Sequence, residues 1–151
     1  MDNQELSRQL SESFPSVSIE EGGEWPVLSI KATELRQIAL TLRVSPLLKF
    51  DYLFCLTCID WKDAFVLVYH FHSTDFRHSL VLKTKLDRSA PEIATLSDIW
   101  RTAEFHEREV YDLFGVRFLD HPDLRRLFMP DDWKGWPLRK DYEDPVNMIK
   151  L

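Results

Sequence analysis

The patterning of this sequence predicts an α+β fold: two layers, a largely antiparallel sheet covered by helices, with an extended C-terminal arm. Three observations point there. Residues 64–86 hold two runs of period-two alternation around a polar Ser73-Thr74-Asp75 turn, which reads as a central antiparallel hairpin. Two other stretches, 33–45 and 99–114, repeat apolar residues at the 3.6-residue helical period. Beyond Gly115 the chain carries aromatic residues and paired charges in neither period, so that segment needs a surface to lie on.

Composition narrows the class. The 151 residues are enough for one domain with a real core, and 44% hydrophobic with 13% aromatic residues is the composition of a folded chain. A formal net charge of -6 argues against nonspecific binding to nucleic acid or to anionic membranes. No apolar run approaches the roughly 18 residues that a membrane-spanning helix needs. The polar, acidic start MDNQELSRQLSESF is unlike a signal peptide. We therefore expect a cytoplasmic chain that meets a membrane only through a partner.

Taken in order, residues 2–13 place Leu6 and Leu10 four apart on one helical face. Ser16 to Glu20 alternates Val17 and Ile19 with polar neighbours, Glu21-Gly22-Gly23-Glu24 makes a turn, and Trp25 to Lys31 returns as a strand. Thr33 opens a helix whose Leu35, Ile38, Ala39 and Leu42 form one apolar stripe, and Pro46 stops it. Leu53 to Trp61 is an apolar strand. In Ala64 to His72, Phe65, Leu67, Tyr69 and Phe71 share one face, and Val66, Val68, His70 and His72 take the other. His78 to Leu86 then sets Leu80, Leu82 and Leu86 against Val81, Lys83 and Lys85. Pro91 to Thr95 reads as a loop. Ser97 is a suitable N-cap, with Asp98 in the first turn, for a helix from Ile99 to Phe114 that Gly115 ends in the left-handed conformation.

Charges gather on that last helix. Trp100, Ala103, Val110 and Phe114 make its apolar stripe, and Glu107 lies on the same stripe, where a carboxylate requires a cation or hydrogen-bond donors. An arginine of the arm, or a group across an interface, is the expected supplier. Glu104, Arg108 and Asp112 form an i, i+4 ladder of alternating sign, expected to be solvated at about 0.3 kcal/mol per pair. His106, Glu107 and Glu109 do not make an acid–base set, because adjacent helical positions point apart.

Metal and redox readings fare poorly as well. Cys55 and Cys58 are spaced C-x-x-C inside FDYLFCLTCIDW, an apolar run with no second pair to close a zinc or iron–sulfur site. Both are expected to be reduced and buried as small hydrophobes. His70, His72 and His78 have no carboxylate or thiolate at ligand spacing and read as polar ends of a half-exposed hairpin. No Gly-rich nucleotide loop and no nucleophile–base pair stands out.

The chain therefore divides into an α+β domain, 1–119, and an extended partner-binding arm, 120–151. In the arm, Arg125-Arg126, Asp131-Asp132 and Arg139-Lys140 alternate in sign and interleave with Phe128, Trp133, Trp136 and Tyr142. Floppy segments are poor in tryptophan, whereas Arg, Trp and Tyr dominate interface hot spots. The arm is expected to be held by a larger partner rather than by its own domain.

EREVYDLFGVRF (Glu107 to Phe118) resembles the signature of the 30 kDa subunit of respiratory complex I, the C-type subunit of bacterial NADH–quinone oxidoreductase. HPDLRRLFMPDDWKGWPLRKDY (His121 to Tyr142) is similar to the same family's C-terminal block, and IDW, FVLVYHFHS and LVLKTKL are similar to its central hairpin. The likeness runs from about Phe50 to Tyr142; the Cys55–Cys58 pair and the early helix are not part of it. It implies an α+β domain of helices layered on a mixed sheet, serving as a non-catalytic scaffold in the peripheral arm of a proton-translocating enzyme, on the cytoplasmic face of the bacterial inner membrane. It also implies a hetero-oligomer in which this chain binds no cofactor, with NADH, FMN, iron–sulfur clusters and quinone held elsewhere in the complex. The tail would lie along the 49 kDa-type (D-type) subunit of complex I, which shapes the quinone pocket. The partner-binding residues would be Glu107, Arg108, Glu109, Asp112, Arg125, Arg126, Phe128, Trp133, Trp136, Arg139, Lys140 and Tyr142. The equivalent subunit of a membrane-bound hydrogenase or formate hydrogenlyase is the alternative within the same likeness.

Overall fold

In the computed structural model, which describes residues 1–21 and 23–149, the period-two runs form one five-stranded sheet. Its strands are β1 (Ser18–Glu20), β2 (Val27–Lys31), β3 (Tyr52–Asp60), β4 (Ala64–Ser73) and β5 (His78–Asp87). Their spatial order is β1-β2-β5-β4-β3. All neighbours are antiparallel except β2 and β5, so the sheet is mixed, as the resemblance implies. The β1–β2 hairpin forms as expected, although Gly22 of its glycine turn lies outside the described residues.

Register sorts the side chains into two faces. Leu28 of β2, Leu82 of β5, Tyr69 of β4 and Leu56 of β3 lie in one row, and all are buried. The adjacent row on the opposite face is Val27, Val81, His70 and Cys55. Cys58, two rows along, pairs with Leu67 on the buried face. The two cysteines, an odd three positions apart on a regular stretch of strand, therefore point to opposite sides of the sheet. Both are free thiols, and burial pushes the Cys58 thiol up to about 12, out of the reactive range. Of the histidines, His72 Nδ1 bonds the Ser79 hydroxyl and His78 Nε2 the Leu48 carbonyl, while His70 rests against Trp25 and Phe54.

Three helices share the core with the apolar face. α1 (Asn3–Ser13) is capped by the Asp2 carboxylate, which accepts from the Glu5 amide, and buries Leu6 and Leu10. α2 (Leu35–Val44), entered through a 3-10 turn at Ala32–Glu34, buries the predicted stripe of Leu35, Ile38, Ala39 and Leu42. α3 (Ala103–Phe114) buries Ala103, Glu107 and Val110, with Trp100 just before it.

Two local expectations do not hold. Pro91 to Thr95 is not merely a loop: β6 (Glu92–Ala94) pairs in parallel with β7 (Arg117–Leu119), which closes a small β-α-β unit around α3. Strands of this length show no readable alternation, and only the tertiary pairing defines them. The helix also does not start at Ser97. Its N-cap is Thr102, whose hydroxyl donates to the Leu53 carbonyl instead of capping, while the Trp100 indole donates to the Phe50 carbonyl. These two hydrogen bonds to the segment at the start of β3 fix residues 97–102 as turns. Gly115 does end the helix, at φ 75, with its amide bonded to the Tyr111 carbonyl.

Candidate functional site

α3 is the spine on which the arm is mounted. Asp112, in its last turn, has no solvent exposure. Its Oδ2 accepts the consecutive amides of Leu127, Phe128 and Met129 at 3.1, 2.6 and 3.1 Å. Its Oδ1 takes the Arg126 guanidinium at 3.1 Å. Burial opposes ionisation here, but the Phe128 and Met129 amides, Arg126 and the Leu127 amide outweigh it, so the carboxyl lies below the usual carboxylate range. Three successive amides curled around one oxygen form a nest for an anion, supplied by the protein's own side chain.

Arg126 extends the lock. Besides Asp112, it donates to the carbonyls of Trp133 at 3.0 Å and Gly135 at 2.9 Å, and it lies 4.5 Å from the Trp136 ring. Arg108 works from the same helix in the opposite sense, donating to the Arg125 and Arg126 carbonyls at 3.2 and 3.1 Å. Trp136 then covers Gly115: a Cβ at that glycine would sit 2.5 Å from the ring, so the residue must be glycine for space as well as for its left-handed turn. Farther on, Arg139 donates to the Phe114 carbonyl and lies over the Phe65 ring.

Asp60 provides the second anchor of the arm. It is buried at the end of β3, on the core face, where its carboxylate receives the Arg88 guanidinium and the backbone amides of Lys62 and Lys140. Burial again opposes the charge, and the Lys140 amide with Arg88 and the Lys62 amide overcome it, holding the carboxyl down at about 2. Arg88 also reaches Asp141 at 2.6 Å.

Glu107 behaves differently. Its Oε1 accepts the Leu96 amide at 2.7 Å and its Oε2 meets the Thr95 hydroxyl, with His121 Nε2 at 3.7 Å. Burial pushes its carboxyl up to about 7, against the pull of the Leu96 amide and the Thr95 hydroxyl. His121 itself bonds the Glu104 carbonyl through Nε2 and takes the Asp123 amide on Nδ1.

These contacts correct three readings of the sequence. Arg108 and Asp112 are not a solvated ladder; they are buried and face the arm. Glu107 is served neither by an arginine of the arm nor across an interface but by the loop at residues 95–96. The arm is not left without a seat on its own domain, because α3 and the end of β3 hold it at Asp112 and Asp60. Glu107, Arg108 and Asp112 are thus engaged within the chain. Arg125 is exposed and paired with Asp123, and Glu109 is half-buried on α3. Trp133, Trp136 and Tyr142 are half-buried; Tyr142 packs on Gly135, where a Cβ would come within 3.0 Å of its ring. Phe128 is 66% exposed and Leu138 52%. Sequence reasoning missed Asp60, Arg88 and Thr95, which carry no periodic signal; the IDW run next to an otherwise apolar strand was the one available hint for Asp60.

The family described as "Respiratory-chain NADH dehydrogenase, 30 Kd subunit" matches residues 28–146. The C subunit of NADH-quinone oxidoreductase from Moorella thermoacetica is 38% identical over 144 residues, covering 94% of this chain and 95% of that protein. The C subunit of F(420)H(2) dehydrogenase from Methanosarcina mazei is 36% identical, covering 95% of this chain and 93% of that one. A relative from Phocaeicola vulgatus, a joined C/D subunit of NADH-quinone oxidoreductase, is 44% identical over 82% of this chain, which spans only 24% of its length. The chain likewise spans 45% of the NADH-quinone oxidoreductase C subunit from Chloroherpeton thalassium. Among solved structures, the trypsin-resistant fragment (1-134) of Nqo5 superposes with a TM-score of 0.70 at 26% identity, over 79% of this chain and 98% of that one. A component of the membrane-bound sulfane sulfur reductase, an archaeal respiratory membrane complex, superposes at 0.80 and 26% identity, over 93% and 85%.

Proposed function

Since the chain belongs to the 30 kDa subunit family of the respiratory-chain NADH dehydrogenase, we propose that it is a scaffolding subunit, without an active site of its own, in the peripheral arm of a proton-translocating NADH–quinone oxidoreductase. The observation that carries this reading is the outer face of the arm. Asp112 and Arg126 fix the arm's backbone from within, so Phe128 and Leu138 project outward from an ordered support. Exposed apolar anchors on a preorganised backbone bind a partner at low entropic cost. A D-type subunit is the proposed neighbour, a choice supported by the joined C/D name of the Phocaeicola vulgatus relative.

On this reading NADH, FMN, iron–sulfur clusters and quinone belong to other subunits, and this chain meets the cytoplasmic face of the bacterial inner membrane through them. Among the described residues no helix is long and apolar enough to cross a membrane. The test is affinity purification of the tagged chain from its own cells, beside a Phe128→Asp/Leu138→Asp variant. A D-type subunit should come down with the first and be largely lost with the second. Recovery of the chain alone, or equal recovery with both, overturns the proposal.

A second reading keeps the role and changes the enzyme. The likeness to a component of F(420)H(2) dehydrogenase and to a sulfur-reducing respiratory complex favours a related complex with another electron donor, of which a membrane-bound hydrogenase or formate hydrogenlyase is one form. The input module that co-purifies distinguishes the two.

A further inference from the structure

The turn between β3 and β4 carries a basic, aromatic knob on an otherwise acidic chain. Trp61 is 60% exposed, although tryptophan at a tight turn is a poor choice for solubility. Lys62 beside it adopts φ 70, a conformation uncommon for a residue with a side chain, held there by its own amide donating to Asp60. Lys140 arrives from the arm through its amide bond to the same carboxylate, and its ammonium lies 5.8 Å from the Trp61 ring centroid. Together with Arg88 and Asp141, these two lysines line a shallow cleft of about 200 Å³.

Charge in this cleft is not balanced locally. Arg88 is shared between Asp60 and Asp141, and Asp63 of the same turn points away to Lys85 at 3.6 Å. The ammonium groups of Lys62 and Lys140 form no ion pair among the described residues. We propose that Trp61, Lys62 and Lys140 form a second docking point, taking a carboxylate-bearing segment of a neighbouring subunit whose apolar part lies on the indole. An exposed indole flanked by cations is the composition of an interface anchor with a charged rim. An anionic membrane is the poorer occupant, since the chain as a whole carries -6 and is repelled from such a surface. Because Asp60 holds both the turn and the start of the Lys140 limb, the knob exists only when the arm is seated.

This inference rests on the reading of the chain as a subunit of a complex, and the experiment separates the two. The complex is purified through a tag on this chain and treated with a carbodiimide, which joins an amine to a carboxylate only when they touch. Cross-links from Lys62 or Lys140 to an Asp or Glu of another subunit are the expected result. A Lys62→Glu/Lys140→Glu variant should bind the rest of the complex about tenfold more weakly at low salt, with the difference shrinking as salt is added; Lys85→Glu should not. A matching melting temperature shows that the variant is folded, and Trp61→Ala, which leaves the charges in place, should also weaken assembly. If an intact complex yields only the intrachain product with Asp141, or none, and the charge reversal assembles as well as the parent, the docking point is refuted while the subunit reading stands. If no other protein co-purifies, both fail together.

Discussion

The two ends of α3 each bury a carboxylate completely, and the two carboxylates behave in opposite ways. Glu107 faces one hydroxyl and one amide on the loop before the helix, and its carboxyl is driven up to about 7. Asp112 faces three amides and a guanidinium from the arm, and its carboxyl is held below its usual range. Neither side chain is exposed to solvent, but Glu107 lies deeper in the protein and meets fewer donors. A neutral, sparsely solvated site stores a proton near physiological pH, whereas a nest of amides with a cation fixes a charge and orders the chain that supplies the donors. The first ties the helix to the loop at residues 95–96, with His121 at the start of the arm beside it. The second turns a segment with no secondary structure into a shaped surface.

The largest effect is expected at Asp112. Asp112→Ala leaves the Arg126 guanidinium without its buried counter-ion and three amides without their shared acceptor, and should cost about 3–5 kcal/mol in chemical denaturation. Hydrogen exchange should then rise at residues 126–142 while the sheet amides stay protected. A cost under about 1 kcal/mol would mean that the arm does not depend on this carboxylate.

Glu107→Gln sharpens the contrast, because the amide imitates the protonated acid. Glu107 titrates at about 7 when folded against 4.5 as a free group, so between these values the folded chain keeps a proton that the unfolded chain has released. Stability from this group is therefore full at low pH and lost as pH rises through that window. The variant should be more stable than the parent by about 3 kcal/mol at pH 8 and no more stable at pH 4. A pH-independent difference would show that Glu107 is ionised throughout.

The smallest effect is expected at Gly115, where α3 ends and the chain turns into β7. Gly115→Ala places a Cβ at φ 75 and against the Trp136 ring, and should lower stability by about 1 kcal/mol. Its signature is local: tryptophan fluorescence and arm protection change, whereas the Glu107 titration does not. Equal exchange at Leu96 and Leu127 in this variant would show that the two ends of α3 are coupled rather than independent.

Alternation determined the hairpin from Ala64 to Leu86, an apolar run marked the strand before it, and the 3.6-residue period determined the stripes of α2 and α3, because each residue's face follows from its neighbours a few positions away. Gly115 was legible for the same reason, as a local left-handed stop. The C-terminal motif, a pattern of identities rather than of periods, was enough to identify the family. What the tertiary structure alone decided was where the polar groups go. β6 and β7 are too short to alternate visibly and exist by pairing with each other across α3. Ser97, a good cap by type, lost the helix start because Trp100 and Thr102 donate to carbonyls about fifty positions earlier in the chain. Asp112 and Arg108 matched the spacing of a solvated ladder, yet the arm returns to bury them. Periodicity reports which face of an element is apolar; it carries no term for a distant segment whose backbone amides need an acceptor, and those hydrogen bonds set the shape of the arm.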